Sequence, residues 1–509
     1  MERRSSGVVL HISSLPGDYG IGSLGAQARG FADFLADGGQ EYWQVLPLNP
    51  TGYGDSPYQS CCSAAGNPYF IDLGLLVQEG LLTKSDLAGE SGASPDHVDY
   101  KKLYRTRWRT LRRAYERGGV ALSKDIAAFR EANKDWLPDY ALFMAIRAHF
   151  GNVALRDWPD EEARKREPGV LRAYAEKLAA DMGYYEFEQF LFERQWDALK
   201  AYAGGRGVKV IGDVPIYVSE DSVEVWAHPE LFQLDGELRP SAVAGVPPDA
   251  YSASGQFWGN PLYDWAYHES TGYAWWIWRL RRAHHFFDAI RIDHFRGFHT
   301  YWSIPAGAKD ASAGKWKRGP AMKIINAVRA ALPDCEIIAE DLGDLDDGVR
   351  AFFKRTGYPG MCLLVHALDH EGESDYLPHN VGVNKVAYTT SHDSDTFVGL
   401  IDDSGEGVRK FATDYLRLRP DEGLSWGAIK AVWATPARLA MTTMQDILGL
   451  SNDARMNRPA TLGGINWRWR VRKEALNKDV SALLRSITYT YRRGDWRKTK
   501  EKGKGKKST

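Results

Sequence analysis

The chain has 509 residues, of which 44% are hydrophobic and 12% aromatic, enough for one large core with insertions. Its formal net charge of -1 lacks the basic surplus typical of nucleic-acid-binding proteins, so a neutral partner is favoured over a polyanion. The four cysteines are too few for a disulfide framework, and no run approaches the roughly 20 apolar residues of a membrane span. A cytoplasmic protein without a membrane or nucleic-acid partner is therefore expected.

Short apolar runs predict eight β-strands, in chain order over residues 8–11, 42–48, 208–214, 289–292, 336–340, 361–365, 386–390 and 439–442. Amphipathic helical patterns lie between most of them, for example over residues 26–36, 321–332 and 345–354. Alternating strands and helices indicate a parallel sheet with crossover helices. The predicted fold class is therefore α/β, a (β/α)8 TIM barrel with large helical and loop insertions between its strands.

The intervals between these strands suggest how the chain is divided. Residues 1–74 are interpreted as the first part of the catalytic barrel, residues 75–195 as an inserted, mainly helical subdomain, and residues 196–497 as the remainder of the barrel. Residues from about 219 to 276 are rich in Pro, Gly, Trp and Tyr and are expected to form an active-site loop insertion. Residues 498–509 are lysine-rich and are expected to form a disordered tail, although a tail that binds nucleic acid or membrane has a similar composition.

Carboxylates end four of the strand-like runs, at Asp213, Asp293, Glu340 and Asp393. In a β/α barrel, the chemistry occurs at the C-terminal ends of the strands. Because side chains alternate along a strand, Arg291 shares a face with Asp293, where its guanidinium would favour an ionised carboxylate suited to be a nucleophile. Glu340 ends the next strand and would be the general acid, for which it would need a raised pKa.

Two carboxyl groups about 5 Å apart are what retaining glycoside chemistry requires, since one attacks the anomeric carbon and the other protonates the leaving oxygen. Asp393, which follows His392, would hold ring hydroxyls and favour the oxocarbenium-like transition state. Asp213 would support the site. A single acid more often caps a helix or pairs with a surface lysine. Four acids at successive strand ends favour a function in sugar chemistry.

Aromatic residues support the same interpretation, since the chain has 18 Trp and 25 Tyr, and ring faces with polar edges suit stacking on sugars. Taken singly, each is more often part of a core. The candidates are Tyr58, Trp226, Tyr251, Phe257 and Trp258. A GxGxxG pattern over residues 20–25 precedes a helix, but the next strand lacks the acid of a dinucleotide site. The histidines show no metal-binding spacing, so neither a metal nor an organic cofactor is expected.

An ordered series of motifs extends along nearly the whole chain. The motifs are LHISSLP (10–16), LPLNPTGYGDSPYQS (46–60), GDVPIYV (212–218), AGVPPD (244–249), GQFWGNPLYDW (255–265), RIDHFRG (291–297), AEDLG (339–343), HD (392–393), QDILG (445–449) and ARMN (454–457). Through this series the chain resembles the 4-α-glucanotransferases, the amylomaltase or disproportionating-enzyme family, which is glycoside hydrolase family 77 of the α-amylase clan.

The resemblance implies that Asp293 is the nucleophile, Glu340 the acid/base and Asp393 the transition-state stabiliser. It also implies a mobile loop over the cleft from about residue 247 to 258. The implied substrate contacts are Ser56, Tyr58, Asp213, Asp249, Tyr251, Gln256, Trp258, Arg291, His294, Asp369 and His392. The chain departs from the family pattern at Ala250, where some members have a second aromatic residue, and at Ser394 and Ala460. These departures are expected to affect specificity before activity.

The activity implied is transfer of α-1,4-glucan segments from a maltooligosaccharide or starch chain to the 4-hydroxyl of an acceptor glucan or glucose, by a retaining double displacement. The expected partners are maltooligosaccharides, amylose, starch or glycogen, with glucose or maltose as acceptor. The nearest alternative is an α-1,4-glucan hydrolase of the same clan. An alternative of another class is a glucan-binding protein without turnover.

Overall fold

A computed structural model describes residues 3–90, 94–248, 252–343, 345–368 and 373–495. The strands in this part of the chain are β1 (Ser5–Val9), β2 (Tyr42–Gln44), β3 (Lys209–Val214), β4 (Ala242–Val246), β5 (Gln256–Pro261), β6 (Ala289–Ile292), β7 (Thr300–Pro305), β8 (Lys315–Arg318), β9 (Glu336–Ala339), β10 (Gly360–Leu363), β11 (Lys385–Tyr388) and β12 (Leu439–Thr443).

The α-helices of the same residues are α1 (Ala26–Asp37), α2 (Leu73–Gln78), α3 (Tyr100–Gly118), α4 (Ser123–Ala132), α5 (Leu137–His149), α6 (Glu161–Arg164), α7 (Pro168–Lys177), α8 (Ala179–Gly205), α9 (Val223–Ala227), α10 (Trp265–Ser270), α11 (Ala274–Phe286), α12 (Met322–Ala331), α13 (Asp347–Thr356), α14 (Phe397–Asp403), α15 (Glu406–Leu416), α16 (Leu424–Ala434), α17 (Met444–Ile447) and α18 (Lys478–Thr490). Within the described residues, no helix is both long and apolar enough to cross a membrane.

Eight strands close a parallel barrel in the order β1-β12-β11-β10-β9-β6-β3-β2. All eight predicted strands are present in the predicted order, so the (β/α)8 barrel is confirmed. Boundaries differ by a few residues, most at β2, which was predicted over residues 42–48 and ends at Gln44. The barrel strands are buried, as in β10 and in β6, where Arg291 is the one charged residue, because both faces of a barrel strand are covered.

A second sheet is antiparallel, with the order β5-β4-β7-β8. This sheet was not predicted: β4 and β5 lie in the expected loop insertion of residues 219–276, and no strand was predicted over β7 or β8. The strands contain Gly245, Gly259 and Pro261, which are unfavourable in strands. β4 pairs with β7, and the barrel strand β6 lies between these two strands in the sequence. Val243 and Ile304 form a small core under this sheet.

Seven helices, α2 to α8, lie between β2 and β3, the interval predicted to be helical. The longest helix, α8, buries Phe187, Leu191 and Trp196 and leads directly into β3. The predicted domain boundary at residue 195 lies inside α8. The proposed domain limits remain predictions.

Candidate functional site

The four predicted acids come together at one rim of the barrel. Asp213 lies near the end of β3, Asp293 follows β6, Glu340 follows β9, and Asp393 lies in the segment after β11. The ladder continues past the strand ends, since the Asp293 N–H donates to the Val214 carbonyl over 3.0 Å and the Glu340 N–H donates to the Ile292 carbonyl over 3.2 Å. Parallel strands in register therefore present adjacent carboxyl groups on the same side of the barrel.

Arg291 lies at the centre of this cluster and is 3% exposed. Its Nη1 donates to Asp213 Oδ2 over 2.5 Å. Its Nη2 donates to both Asp293 Oδ1, over 3.0 Å, and Glu340 Oε2, over 2.9 Å. One guanidinium thus neutralises part of the charge of three carboxyl groups and fixes their positions, which the planar fork of arginine allows.

Glu340 and Asp293 differ in how many hydrogen-bond donors reach them. Glu340 Oε2 also accepts the His294 backbone N–H over 2.7 Å. Burial opposes ionisation of Glu340, but Arg291, Asp293 and the His294 N–H outweigh it and lower the pKa of this carboxyl. Burial, together with the adjacent Glu340 charge, raises the pKa of Asp293 well above its ordinary value.

These directions correct one expectation from the sequence. Glu340 was predicted to have the raised pKa of a general acid and Asp293 to be ionised beside Arg291. The pKa directions are the reverse, because Glu340 receives two donors where Asp293 receives one. The two carboxyl groups are coupled, and these directions favour a shared proton on Asp293 rather than on Glu340.

Asp393 has different surroundings from the other two acids. Its Oδ1 accepts the Asn457 amide N–H over 2.7 Å, and its Oδ2 lies 3.3 Å from His392 Nε2. The Arg455 guanidinium donates to the Asp393 carbonyl over 2.5 Å. Although burial opposes ionisation, His392 and the amide hold the pKa of Asp393 well below its ordinary range. This carboxylate therefore stays charged.

Tyr58 connects the two sides of the rim. Its hydroxyl donates to Asp213 Oδ2 over 2.8 Å and lies 2.8 Å from His392 Nε2. The phenol donates its one hydrogen to the Asp213 carboxylate. His392 Nε2 is therefore the protonated nitrogen, and its N–H points toward Tyr58 and Asp393. Burial, aided by Asp213, raises the pKa of Tyr58 well above 10.0, so the hydroxyl stays protonated.

The remaining predicted contact residues fall into three groups. Trp258 packs edge-on against His294, whose backbone N–H binds Glu340, with ring centroids 4.8 Å apart, and its Nε1 donates to Gln256 Oε1 over 3.1 Å. Ser56 Oγ accepts the Tyr58 backbone N–H over 3.2 Å. Asp249, Tyr251 and Asp369 lie outside the described residues, as do Ala250 and the lysine-rich tail.

Of the predicted aromatic platforms, Trp226 is wrong. It is fully buried, its Nε1 donates to the Ala163 carbonyl over 3.0 Å, and the Arg166 guanidinium covers its ring. It belongs to the core because the helical insertion packs over it. Phe257 is 46% exposed, a position from which a ring can meet a ligand.

Asn457 and Arg455 bind Asp393, yet the sequence analysis assigned them no contact. They were visible only as part of the ARMN motif at residues 454–457. They lie 64 and 62 residues from Asp393 along the chain. No local spacing pattern could have shown that contact.

Comparison with known proteins agrees with this geometry. The family model described as 4-alpha-glucanotransferase matches residues 10–476. A 4-alpha-glucanotransferase of Streptococcus pneumoniae serotype 4 is 45% identical over 499 residues, which cover 97% of this chain and 98% of that protein. One from Thermus thermophilus is 44% identical over 495 residues, 95% of this chain and 98% of that protein.

A solved structure, an amylomaltase from Streptococcus agalactiae in complex with acarbose, superposes with a TM-score of 0.94 at 41% identity, covering 97% of this chain and 100% of that one. The family model, the curated relatives and the solved structure all match this chain over nearly its full length. The chain therefore belongs to the 4-alpha-glucanotransferase family, glycoside hydrolase family 77, and has 4-alpha-glucanotransferase (amylomaltase) activity.

Proposed function

We propose that the transfer proceeds by a double displacement in which Asp293 is the nucleophile and Glu340 the acid/base. Asp293 attacks the anomeric carbon of an α-1,4-linked glucose while Glu340 protonates the departing glycosidic oxygen, and a covalent glucosyl-enzyme forms. The 4-hydroxyl of an acceptor, deprotonated by Glu340, then attacks that carbon and displaces Asp293. Two inversions restore the α configuration.

The observation that supports these roles most directly is the bridging of Asp293 and Glu340 by one nitrogen of Arg291, at 3.0 and 2.9 Å. Two oxygens that share one donor in this way lie too close for the separation of roughly 6.5 Å or more found in inverting enzymes. The spacing suits the retaining arrangement, with about 5 Å between the carboxyl groups.

The shared proton supplies the acid. The pKa directions of the pair favour this proton on Asp293, and the first displacement requires it on Glu340. A glycosidic oxygen that approaches Glu340, together with an anomeric carbon that approaches Asp293, favours that exchange, because positive charge develops beside Asp293 and negative charge beside Glu340. The active form is thus the pair with one proton in total.

Asp393 is proposed to stabilise the distorted sugar. It stays ionised, and His392 Nε2–H and the Asn457 amide fix its orientation. A charged carboxylate at this place attracts the oxocarbenium-like carbon and accepts ring hydroxyls, both of which lower the barrier only if its position is fixed.

The proposed substrates are α-1,4-glucans such as maltooligosaccharides, amylose, starch or glycogen, with glucose, maltose or a longer glucan as acceptor. Two observations support this class: the family relation, and the acarbose bound by the Streptococcus agalactiae amylomaltase. Trp258 and Phe257 offer apolar ring surface on one side of the acids. We also keep the prediction of a cytoplasmic location, with which the four free cysteines are compatible.

The first experiment is incubation of the purified protein with maltotriose alone. Free glucose and a ladder of longer maltooligosaccharides at a constant number of reducing ends are expected. A rise in reducing ends with only shorter products would indicate the hydrolase, and unchanged maltotriose would indicate a binding protein. Asp288→Asn is the matched control for Asp293→Asn, since Asp288 lies at the opposite end of β6 and accepts the Val210 N–H over 2.7 Å. Only Asp293→Asn is expected to abolish the ladder.

Azide separates the two roles when an α-glucosyl fluoride is the donor. In Asp293→Gly, azide is expected to attack the sugar directly and to give the β-azide after a single inversion. In Glu340→Ala, the glucosyl-enzyme still forms, so azide is expected to give the α-azide after two inversions. The opposite pair of products would exchange the two assignments.

A further inference from the structure

Asp446, in the QDILG motif, has no part in the reaction described above, yet it is fully buried beside the site. It lies in α17, immediately after β12. Its Oδ2 accepts the hydroxyls of Thr389 over 2.5 Å and Thr390 over 2.6 Å. Its Oδ1 accepts the Phe397 backbone N–H over 2.8 Å.

These three donors flank a single loop, residues 391–396, which contains His392 and Asp393. Thr390 is the last residue before the loop, and Phe397 is the first residue of α14 after it. Both ends of the loop are therefore attached to one carboxylate on a neighbouring element. The Thr396 N–H, also at the far end, donates to Asn452 Oδ1 over 3.1 Å.

The two threonine hydroxyls are also paired with hydroxyls at the end of the neighbouring strand β12. Thr389 Oγ1 lies 3.0 Å from Thr442 Oγ1, and Thr390 Oγ1 lies 3.0 Å from Thr443 Oγ1. Each hydroxyl has one hydrogen, so the pair that donates to Asp446 must accept from Thr442 and Thr443. The ends of β11 and β12 are thus joined through Asp446, which is enclosed and does not reach the cleft.

We propose that Asp446 is a positioning residue that fixes the 391–396 loop so that Asp393 meets the reacting sugar. The proposal rests on the function proposed above, since it gives Asp446 a role only through Asp393. The effect falls on kcat more than on KM. Asp393 is needed in the distorted transition state, where a displacement of about 1 Å can cost roughly 100-fold in rate.

The test compares Asp446→Ala with Asp446→Asn, using α-maltosyl fluoride as donor so that slow variants stay measurable. Alanine removes both acceptor oxygens and with them all three hydrogen bonds, and kcat is expected to fall about 100-fold with KM changed less than about threefold. Asparagine keeps an oxygen for the Phe397 N–H, and its amide can donate to the threonine oxygens if their hydroxyls reverse. A loss below about tenfold is expected there. Equal losses in both variants would show that charge matters rather than position, and would overturn the proposal.

A double-mutant cycle shows whether Asp446 acts through Asp393. If it does, Asp446→Ala combined with Asp393→Asn is expected to be no slower than Asp393→Asn alone, within about threefold. Losses that multiply would overturn the positioning role. Unimpaired Asp393→Asn would instead contradict the function proposed for Asp393, so the two failures are distinguishable.

A milder pair covers the case in which Asp446→Ala does not fold. Thr390→Val removes one donor, and Thr390→Ser restores it. The valine variant is expected to lose roughly tenfold in kcat and the serine variant to recover most of it. No difference between them would overturn the proposal. As a control for stability alone, Glu188→Ala removes another buried carboxylate, whose partner is the Tyr184 hydroxyl, and is expected to lower Tm without changing kcat.

Discussion

Arg291 determines how the three acids around it share charge. A buried cation between Asp213, Asp293 and Glu340 offsets their mutual repulsion, and its two terminal nitrogens reach different partners. A lysine ammonium has three N–H donors on one nitrogen at the end of a flexible stem, and it cannot span Asp213 and the Asp293–Glu340 pair in the same geometry. Arginine at this position is thus required by the number of carboxylates it serves.

Arg291→Lys is therefore expected to lower kcat/KM by about 100-fold or more, the usual effect of losing one oriented donor in a reaction site. It is also expected to move the acidic limb of the pH profile to higher pH. Arg291 lowers the pKa of Glu340, so with a weaker partner the carboxyl pair takes up its second, inactivating proton at a higher pH. The measurement is kcat/KM for maltotriose from pH 3 to 9.

Arg107→Lys is the matched control. Arg107 is also buried, pairs with Glu90 over 3.2 Å and donates to the carbonyls of Tyr69 and Tyr19, away from the acids. It is expected to reduce stability and leave the pH profile unchanged. An Arg291→Lys enzyme with an unmoved acidic limb would contradict the electrostatic role given to Arg291.

Strand β3 positions Asp213 through its contact with the segment before β6. At Gly212, a Cβ would lie 2.0 Å from the Phe287 ring, which packs directly on the strand backbone. Phe287 is 4% exposed and is followed closely by β6, so the ring cannot withdraw without moving one of the two strands. The absence of a side chain at residue 212 thus sets the spacing of the two elements that hold Asp213 and Arg291.

Gly212→Ala is expected to destabilise the protein by roughly 1–3 kcal/mol, the usual cost of overpacking, and to lower kcat. Urea unfolding and maltotriose kinetics measure the two effects. Gly204→Ala provides the comparison, since Gly204 lies inside α8 with nothing within 4 Å of its Cβ position. There alanine is expected to stabilise by about 0.5–1 kcal/mol. Equal behaviour of both variants would show that the Phe287 contact does not constrain β3.

The barrel could be predicted from the sequence because its strands are short apolar runs with both faces covered, and helices lie between most of them. Asp213, Asp293, Glu340 and Asp393 could be located by the same logic, since they stand where those runs stop. The antiparallel sheet could not, because β4 and β5 contain residues that disfavour strands and depend on β7, which is distant in sequence.

Long-range contacts limited the prediction of the site in the same way. The order of the pKa values in the Asp293–Glu340 pair depends on the His294 N–H. His294 has a left-handed backbone with φ 47°, which no sequence pattern indicated. Trp226 is of a residue type that often stacks on sugars, but it is buried under the helical insertion. Asn457 and Asp446 were visible in motifs, but their partners became apparent only in the folded chain.

Closure of the barrel depends on the end of the chain. Arg493, after α18, is fully buried, and its guanidinium donates to the carbonyls of Trp433, Ser5, Ala437 and Thr435 over 2.9–3.0 Å. Ser5 begins β1 and Ala437 precedes β12, the first and last barrel strands, which pair with each other. One side chain therefore satisfies carbonyl groups on both sides of the seam where the barrel closes.

Arg493→Met keeps the length of the side chain and removes the donor that these four carbonyl oxygens share, although the Thr435 carbonyl keeps the Arg4 Nη1 donor over 2.7 Å. The expected loss in the free energy of unfolding is roughly 2–4 kcal/mol. Leaving buried acceptors unsatisfied costs more than is gained by no longer burying a cation. Arg485→Met, on the exposed face of α18, is expected to change stability by less than about 0.5 kcal/mol. Urea unfolding followed by tryptophan fluorescence measures both. Because the seam joins the first and last strands, fluorescence and transferase activity are expected to be lost over the same urea range in Arg493→Met. Activity that survived the fluorescence transition would mean that the acid-bearing strands remain assembled when this seam opens.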